Sequence, residues 1–556
     1  MTLLAAVAVC AEAGCTPEQY AKLADRSAYG ALASGQQVAL GERRPFAVTY
    51  KPFLSEENGD GKRVIRIDAR SIPVGEGKPT ILNLGDCLLI AFRNSRNLQT
   101  AKENLYSDAL ALANATRTWD WSLITGNLDA EYDYTRVSGT STDKTGTAGA
   151  ELALTQRFIH GGVLALGASL DFATDFLGSN TTTLGSLLEA NFTQPLLQGA
   201  WRGFAYEDQY RLERDFLFSV FDYDRFTQTF AANIVSDFYS VLQRRDQLAN
   251  EEANIERLKD TLALTRVLAD GGQVSRIEEN QAEQDLLNAQ VRLETIQENY
   301  QNSLDNFKLT LGLPITANVE LPYPQALEDL RKVGPKAVNF DQEAAIATAL
   351  AVRPDVLTER ARVRDARKDV EIAADQFNPQ LDLELDISAE GSEDRKFYRT
   401  RFHEHTRTVN VVFNYPLDQT DNRDAYRLAL IAQARAEREY EEFVDQVRQD
   451  VRQAYRALLQ SARSYEIQVR SVEIAVRRRR LAALQQREGL ASARDVLESE
   501  EALRTAQNGL TNALVTYTTT RLDFLASLGM LHVDEQGQLN ERAEPFKFTE
   551  LRKRYE

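Results

Sequence analysis

The chain has 556 residues, a charged fraction of 26% and a formal net charge of −17. This acidic balance argues against nucleic acid as a partner, because phosphate binding needs clustered lysine and arginine. The three cysteines, Cys10, Cys15 and Cys87, form neither a disulfide framework nor a zinc-ligand spacing.

The N-terminus has the pattern of an export signal. Residues 3–9 form a short apolar run that Ala13-Gly14-Cys15 follows. This ending resembles a bacterial lipoprotein signal, so Cys15 is a candidate lipid anchor; a frayed N-terminus is the alternative. We predict a signal segment at residues 1–15. Residues 16–80 mix charges with glycine and proline without a sustained period, and we expect an irregular N-terminal extension there.

The rest of the chain is a duplicated unit. One constant displacement in residue number carries Tyr300, Phe307, Leu311, Gly312, Gly272, Ser275, Glu283 and Leu286 onto Tyr517, Phe524, Leu528, Gly529, Gly489, Ser492, Glu500 and Leu503. This many positions in one register indicate an internal repeat. We place the first repeat at residues 81–312, a linker at 313–338, the second repeat at 339–532 and a C-terminal tail at 533–556.

Each repeat begins with short helices and continues with strands of alternating polarity. Alternation predicts strands at about 127–194 in the first repeat and about 380–415 in the second. Extra alternating sequence surrounds Gly161-Gly162 in the first repeat only, which should therefore have two or four strands. Aromatic residues near the strand ends are typical of a transmembrane barrel, with a soluble hairpin as the alternative. Each repeat has too few strands to close a barrel, so a barrel requires several chains.

Two long helical hairpins complete the repeats, at residues 203–311 and 424–528. The helices preceding the turns lack proline and carry apolar residues at alternating threes and fours, which predicts coiled-coil packing over about 100 Å. Glycines interrupt them at Gly271-Gly272 and Gly489. Hairpins of this length predict a stalk or a tunnel wall.

These features together resemble the outer-membrane efflux protein family, the TolC-like channels. The motifs that carry the resemblance are Gln194-Pro195-Leu196-Leu197-Gln198-Gly199, Asn378-Pro379-Gln380-Leu381, Gly489-Leu490-Ala491-Ser492-Ala493-Arg494-Asp495-Val496-Leu497 and the Leu-Gly ending of each repeat. The resemblance covers roughly residues 81–532. It implies a mainly α-helical fold with a β-barrel part, in which duplicated coiled-coil hairpins form a trimeric periplasmic tunnel joined to a shared antiparallel transmembrane β-barrel.

The resemblance also implies a function and partners. A homotrimer in outer-membrane lipid would act as the passive exit duct of a multipartite efflux or type I secretion system of a Gram-negative-type bacterium. Its partners would be a periplasmic adaptor (membrane fusion) protein and an inner-membrane pump or ABC exporter. The alternative is a periplasmic or cell-surface coiled-coil scaffold that forms no channel.

The resemblance places a gate just after the turns of the hairpins. Asp495, Glu498 and Glu278 match the family's acidic constriction, and rings of carboxylates favour cations. Crowded carboxylates also tend to have raised pKa values. Alternatively, these acids stabilise the first turns of the returning helices. The tyrosine and arginine that hold the family's closed state are replaced by Gln486 and Ala491.

The turns themselves are candidates for docking the adaptor, although turn formation alone would explain their glycines. The candidate docking residues are small or apolar: Gly271, Gly272, Val274, Ser275, Gly489, Leu490 and Ser492.

An enzymatic function finds little support in the sequence. The histidines His160, His403, His405 and His532 lie in no metal-ligand helix pair and beside no nucleophile motif. No glycine-rich phosphate loop is present. We therefore expect no catalytic residues, no metal and no cofactor.

Overall fold

The structure is a computed structural model that describes residues 17–49, 55–57, 63–67, 70–75, 78–137, 141–175, 182–334, 341–391, 400–488, 490–534 and 539–541. Contacts divide the chain into two units. Unit 1 comprises Met1–Arg43, Leu105–Val220 and Leu357–Glu442, and unit 2 comprises Arg44–Asn104, Phe221–Val356 and Phe443–Glu556. The candidate residues Cys15 and Gly489 lie outside the described residues.

Most of the described chain is helical. The helices are α1 Pro17–Leu40, α2 Leu84–Asn94, α3 Arg96–Arg117, α4 Arg202–Ala205, α5 Glu207–Asp270, α6 Arg276–Thr310, α7 Gln325–Val333, α8 Gln342–Val352, α9 Pro354–Asp375, α10 Thr420–Arg487 and α11 Ala493–Leu528. The strands are β1 Ser55–Glu57, β2 Arg63–Ile67, β3 Arg70–Pro73, β4 Thr80–Ile81, β5 Ser122–Val137, β6 Ser141–Arg157, β7 Val163–Asp175, β8 Thr182–Pro195, β9 Val319–Glu320, β10 Gln380–Gly391, β11 Thr400–Asn414, β12 Leu531–Val533 and β13 Leu539–Glu541. Within the described ranges, no helix is both long enough and apolar enough to cross a membrane.

Unit 1 contains a six-stranded antiparallel sheet in the order β11-β10-β8-β7-β6-β5. The first repeat supplies four of these strands and the second repeat supplies two. The extra sequence around Gly161 connects β6 to β7 in a tight turn, where Gly161 has φ of 88° and the Phe158 amide donates to the Gly162 carbonyl at 2.7 Å. Of the two alternatives for the first repeat, the structure has four strands.

The two faces of this sheet differ in polarity. Paired residues share a face, and apolar side chains form continuous rows across four strands: Val409-Leu385-Phe192-Leu164 and Ile387-Ala190-Leu166-Leu154. Carboxylates occupy the other face, among them Glu384, Asp386, Glu189 and Glu151. A Cβ atom at Gly167 would lie 2.6 Å from Oε1 of Glu189, so glycine leaves room for this carboxylate. Arg407, paired with Ile387, is a charged exception on the apolar face.

The N-terminal extension differs from the irregular segment that the sequence predicts. It holds α1, a 24-residue helix whose buried stripe is made largely of small residues. Ala28 and Ala39 are fully buried, and a side chain at Gly35 would collide with the ring of Phe216. Small residues give a weak hydrophobic period, so the sequence pattern concealed this helix.

Unit 2 is held by an aromatic and aliphatic core between the long helices and α2. Phe238 of α5 and Phe307 of α6 are almost completely buried, with ring centroids 6.4 Å apart. Cys87 and Ala91 of α2 are fully buried in the same cluster. Burial of this apolar surface is the main stabilising contribution here.

The repeat displacement also holds in three dimensions. Helices α5 and α10 end at Asp270 and Arg487, and α6 and α11 begin at Arg276 and Ala493, so both pairs of helix ends are related by the displacement found in the sequence. Buried positions coincide as well, in the pairs Ile234 and Val451, Val241 and Leu458, Phe307 and Phe524, and Leu311 and Leu528. The two hairpins therefore have the same packing register.

Candidate functional site

The first hairpin turns between α5 and α6. Gly272 has φ of 72°, in the left-handed region that favours glycine, and its amide donates to the Ala269 carbonyl at 3.0 Å. No heavy atom lies within 4 Å of a Cβ built at Gly272, so conformation rather than space requires glycine there. Ser275 caps α6, because its hydroxyl accepts from the Glu278 amide at 3.4 Å.

The second hairpin turns between α10 and α11 with a stronger version of the same cap. The Ser492 hydroxyl accepts from the Asp495 amide at 3.3 Å, and the Ser492 amide donates to Oδ2 of Asp495 at 2.9 Å. The two bonds form a capping box, which satisfies amides at the start of α11. The Leu490 amide donates to the Gln485 carbonyl at 2.8 Å and completes the turn.

Asp495 is exposed, and its charge is stabilised within the chain. Hydrogen bonds from the hydroxyl of Ser492, and then from its backbone amide, lower the pKa of Asp495 below the ordinary range of an aspartate. This direction is opposite to the raised pKa expected for crowded carboxylates. Within one chain, Asp495 is thus a helix-capping residue that stays ionised.

Glu278 connects the turns of the two repeats. Its Oε2 accepts from the backbone amide of Ala493 at 3.4 Å, at the first residue of α11. A carboxylate in this position also interacts favourably with the helix dipole. The structure therefore brings Glu278 of the first hairpin to the start of the returning helix of the second.

Glu498 follows Asp495 by one turn of α11 and is paired with arginine. It lies 3.2 Å from Arg494 and 3.7 Å from Arg478. It lines a groove of about 870 Å³ between the long helices of both repeats, together with Asn254, Asp285 and Arg292. All three predicted acids are therefore close to the first turns of α11, and each has a hydrogen-bond or ionic partner.

The predicted docking residues are accessible in the single chain. Leu490 is 78% exposed, Gly271, Gly272, Ser275 and Ser492 are exposed or half-exposed, and Val274 is half-buried. Ile277 also follows the first turn and is 76% exposed, although it is not among the residues predicted from the sequence. Its position one residue into a polar helix was the available signal.

The acid with two arginine partners at the first turn, Glu279, is not among the residues predicted from the sequence. Glu279 is buried, and it accepts from Arg266 at 2.9 Å and from Arg276 at 2.7 Å. These hydrogen bonds lower the pKa of the Glu279 carboxyl. Arg276 also bonds to Asp270 at 2.7 Å across the turn. Arginines on both sides of the glycines were the sequence signal for this network.

A second overlooked cluster lies further from the turns. Glu251 of α5 is completely buried and faces Arg292 of α6 at 3.3 Å and Arg504 of α11 at 3.4 Å. Glu500 of α11 is also buried, bonded to Arg257 of α5 and 3.7 Å from Arg479 of α10. The partners come from helices far apart in sequence, so no local pattern indicated them.

The described residues include no group of three or more His, Cys, Asp or Glu side chains that could hold a metal ion. His532 lies beside Arg44: Nδ1 of His532 is 3.4 Å from Nη2 of Arg44. The arrangement around the turns offers charge and hydrogen bonding rather than a nucleophile beside a base.

The second repeat matches a known family. Residues 345–530 match the model described as "Outer membrane efflux protein". The resemblance predicted from the sequence is thereby confirmed, and the matched segment contains β10, β11 and the complete second hairpin. No curated protein matches the chain.

Solved structures of outer membrane proteins share the fold. The outer membrane channel CmeC of Campylobacter jejuni is 16% identical, with a TM-score of 0.58 over 85% of this chain and 89% of that one. The open-state outer membrane channel MtrE of Neisseria gonorrhoeae is 14% identical, with a TM-score of 0.58 over 87% and 98%. The outer membrane protein VceC of Vibrio cholerae is 15% identical, with a TM-score of 0.58 over 80% and 96%. Most of the chain therefore has the fold of these proteins.

Proposed function

We propose that the protein is the outer-membrane channel component of a multipartite efflux or type I secretion system, a passive exit duct from the periplasm to the exterior. The observation that carries this proposal is the family match across the second repeat. The structural likeness to channels such as CmeC and MtrE extends the same fold over the first repeat.

The polarity of the sheet supports a membrane location for unit 1. The rows from Val409 to Leu164 and from Ile387 to Leu154 are uncharged, as a face in contact with lipid must be. The opposite face carries Glu384, Asp386, Glu189 and Glu151, which suit a water-filled interior. A soluble scaffold would bury such an apolar face against its own core, whereas Val409 is 68% exposed and Ile387 is 49% exposed in the single chain.

The edges of this sheet support assembly into a trimer. Within the described residues, β11 and β5 are edge strands, and unpaired edges inside a membrane are costly. In our proposal, β11 of one copy pairs with β5 of the next. Three copies of the six-stranded sheet then bring eighteen strands, a number at which barrels enclose an aqueous channel.

The helical hairpins would form the periplasmic tunnel and meet the partners. The exposed turn around Leu490 and Gly272 would receive a periplasmic adaptor protein, which links the duct to an inner-membrane pump or exporter. Lipid attached to Cys15 would add an anchor in the same membrane.

The acids near the turns would set ion preference. Asp495 is exposed and ionised, and three copies around a threefold axis would form a ring that favours cations. Glu498 is paired with Arg494, which offsets its charge, and Glu278 bonds to the start of α11, whereas the hydrogen bonds of Asp495 come from the neutral Ser492; we therefore expect Asp495 to have the largest effect.

Conductance measurements on planar bilayers containing the purified protein would test both the exit duct and the ring of Asp495 carboxylates. The protein should insert as cation-selective channels, and Asp495→Ala should reduce the cation preference. Ser492→Ala is the matched control, because it breaks the same cap but keeps the carboxylate. A protein that never inserts would support the scaffold alternative. Channels with unchanged selectivity in Asp495→Ala would leave the duct and exclude the ring.

A further inference from the structure

We infer that Trp201 and Arg202, at the junction of β8 with the long helix of the first repeat, bind the phosphate group of an anionic phospholipid of the bilayer. This inference rests on the proposed function, which places the sheet of unit 1 in a membrane. Three features carry it: the strained backbone of Trp201, the unpaired charge of Arg202, and the different chemistry at the same junction of the second repeat.

Trp201 holds an exposed side chain on a strained backbone. Its φ of 74° and ψ of 155° lie in a region that glycine almost alone adopts. The side chain is 70% exposed, and within the described residues the indole ring has no aromatic partner. In water such an orientation would gain nothing to offset the strain. At a membrane interface the indole gains an apolar environment for its ring and a hydrogen-bond partner for its N–H group.

The edge of the sheet next to Trp201 is apolar. Exposed apolar side chains lie beside the ends of four strands at this edge: Trp121 before β5, Phe158 and Ile159 after β6, Leu196 and Leu197 after β8, and Tyr415 and Leu417 after β11. The uncharged face of the sheet thus continues to the point where the strands join helices. Trp201 therefore lies where lipid would meet water.

Arg202 is an exposed cation that aromatic rings hold in place. The carbon of its guanidinium group lies 5.7 Å from the ring centroid of Tyr206 and 5.5 Å from that of Tyr210. These two rings are 4.9 Å apart, and Trp119 packs 4.7 Å from Tyr206. Across the part of the chain that the structure describes, Arg202 forms no ion pair with a carboxylate. The rings orient the guanidinium group without neutralising it.

A second cation at this junction is already paired. Nζ of Lys368 lies 4.7 Å from the ring centroid of Phe204, and it bonds to Glu371 at 2.7 Å. Of the two cations, Arg202 is therefore the one whose charge is left for a ligand.

The second repeat has a different chemistry at its strand-to-helix junction. Counted from Pro195 and Pro416, the corresponding residues are Trp201 and Asn422, Arg202 and Arg423, and Gly203 and Asp424. Arg423 is bonded to Asp424 at 2.9 Å, and Asn422 donates to the Gln376 carbonyl at 3.0 Å. The second junction bonds these groups within the chain, whereas the first keeps a free cation beside an exposed indole.

A lipid phosphate fits both members of this pair. A guanidinium group can donate two parallel N–H bonds to phosphate oxygens, while the indole contacts the apolar part of the same lipid. A zwitterionic headgroup would bring its own ammonium group, and Arg202 has no bonded acid beside it to receive that charge. A free phosphate ion would leave the indole of Trp201 without a partner. The geometry therefore favours a phospholipid with a net negative headgroup.

Titration of short-chain lipids into the full-length, detergent-solubilised protein tests the site. We expect dioctanoyl phosphatidylglycerol to bind more tightly than dioctanoyl phosphatidylcholine, as isothermal titration calorimetry would measure. Arg202→Gln should weaken the binding of phosphatidylglycerol about fivefold, the effect of one basic residue at an anionic membrane surface. Arg423→Gln is the matched control and should leave the affinity unchanged, because Asp424 already pairs that charge.

Inorganic phosphate identifies the source of the phosphate group. At the concentration of the lipid it should not displace phosphatidylglycerol, because it offers nothing to Trp201. Displacement by phosphate at equal concentration would overturn the assignment to lipid. Equal losses of affinity in Arg202→Gln and Arg423→Gln would overturn the site.

Fluorescence quenching tests the position of Trp201, which is one of three tryptophans in the chain. In vesicles of phosphatidylglycerol and phosphatidylcholine, the difference between the spectra of the parent and Trp201→Phe reports on this residue. Brominated lipid should quench the difference signal, and aqueous iodide should not. Quenching by iodide alone would place Trp201 in water and contradict the inference.

The strained backbone gives an independent test. Without added lipid, Trp201→Gly should raise the urea midpoint of unfolding, because glycine adopts this conformation without strain. The same variant should bind phosphatidylglycerol more weakly. Trp121→Gly is the control and should not raise the midpoint, because Trp121 has no positive φ. A lower midpoint in Trp201→Gly would contradict a backbone held under strain for the lipid.

The outcomes separate this inference from the proposed function. Channels that conduct in bilayers but bind phosphatidylglycerol equally well in Arg202→Gln overturn the lipid site and leave the duct intact. A protein that never inserts into bilayers or vesicles overturns both.

Discussion

The long helices of unit 2 have two sections with different interiors. We call the first the aromatic section, where Phe230, Phe238 and Phe307 form the contacts. We call the second the ionic section, which lies nearer the turns, where Glu251 and Glu500 are buried among arginines. The same pairs of helices thus change from apolar to charged packing along their length.

This difference separates two sources of stability. Aromatic contacts stabilise mainly through burial of apolar surface, which is non-directional, so the aromatic section anchors the helices. Buried carboxylates are stable only while their partners stay in place, because desolvation of an unpaired charge is costly. The ionic section therefore specifies one arrangement of the four helices, and changes in it should have sharper consequences for geometry.

The largest expected effect is in the aromatic section. Phe238→Ala should destabilise the protein by about 3–5 kcal/mol, because it removes a buried ring from the contact with Phe307. Urea unfolding in detergent, followed by circular dichroism, would measure this. Val267→Ala is the control, since Val267 is 67% exposed, and it should change stability by less than about 0.5 kcal/mol. Equal effects of the two variants would contradict a distinct aromatic section.

The next effect is in the ionic section. Glu251→Ala should cost about 2–3 kcal/mol, because Arg504 and Arg292 lose a buried carboxylate; partial exposure of Arg292 limits the loss. Glu252→Ala should cost less than about 0.5 kcal/mol, because the neighbouring Glu252 is mostly exposed and 3.8 Å from Arg245.

A double variant sharpens this comparison. Glu251→Met with Arg504→Met should recover a large part of the stability, since apolar residues of similar volume can replace a buried ion pair. If Glu251→Ala alone were neutral, the ionic section would be ordinary solvated packing.

The sequence predicted those features that depend on local pattern. The turns at Gly272 and Ser492, the ends of α5 and α10, and the second repeat's strands follow from glycine, serine and periodicity. Glu251 and Glu279 were missed because their partners lie on other turns or other helices. Asp495 was identified, but its cap was visible only as the weaker alternative, because the spacing from Ser492 to Asp495 is shared by many helix starts.

The two turns are more alike than the aromatic and ionic sections, so removal of their serine caps should change stability by smaller and more similar amounts. Ser492→Ala should cost about 1 kcal/mol, because it removes a bonded capping box. Ser275→Ala should cost less, because its single bond to the Glu278 amide is 3.4 Å long. Urea unfolding would measure both losses of unfolding free energy. A larger loss in Ser275→Ala than in Ser492→Ala would mean that the first turn depends more on its serine than on its ion pairs.

The smallest expected effect is a salt-dependent difference between the pKa values of Glu279 at the first turn and Asp495 at the second. The pKa of Glu279 is lowered by hydrogen bonds from Arg266 and then Arg276, whereas that of Asp495 is lowered by bonds from Ser492. Both native pKa values are lowered, so each contribution to stability is complete above the ordinary pKa of the carboxyl group. It is lost as the pH falls through the lowered native value. Arg266 and Arg276 are mostly exposed, and salt screens ion pairs to exposed arginines more than a short hydrogen bond to a neutral hydroxyl. Raising salt should therefore bring the pKa of Glu279 closer to its ordinary value than that of Asp495, as carbon NMR of labelled carboxyl groups would measure. Equal salt shifts would mean that Arg478 and Arg494, rather than the cap, hold the charge of Asp495.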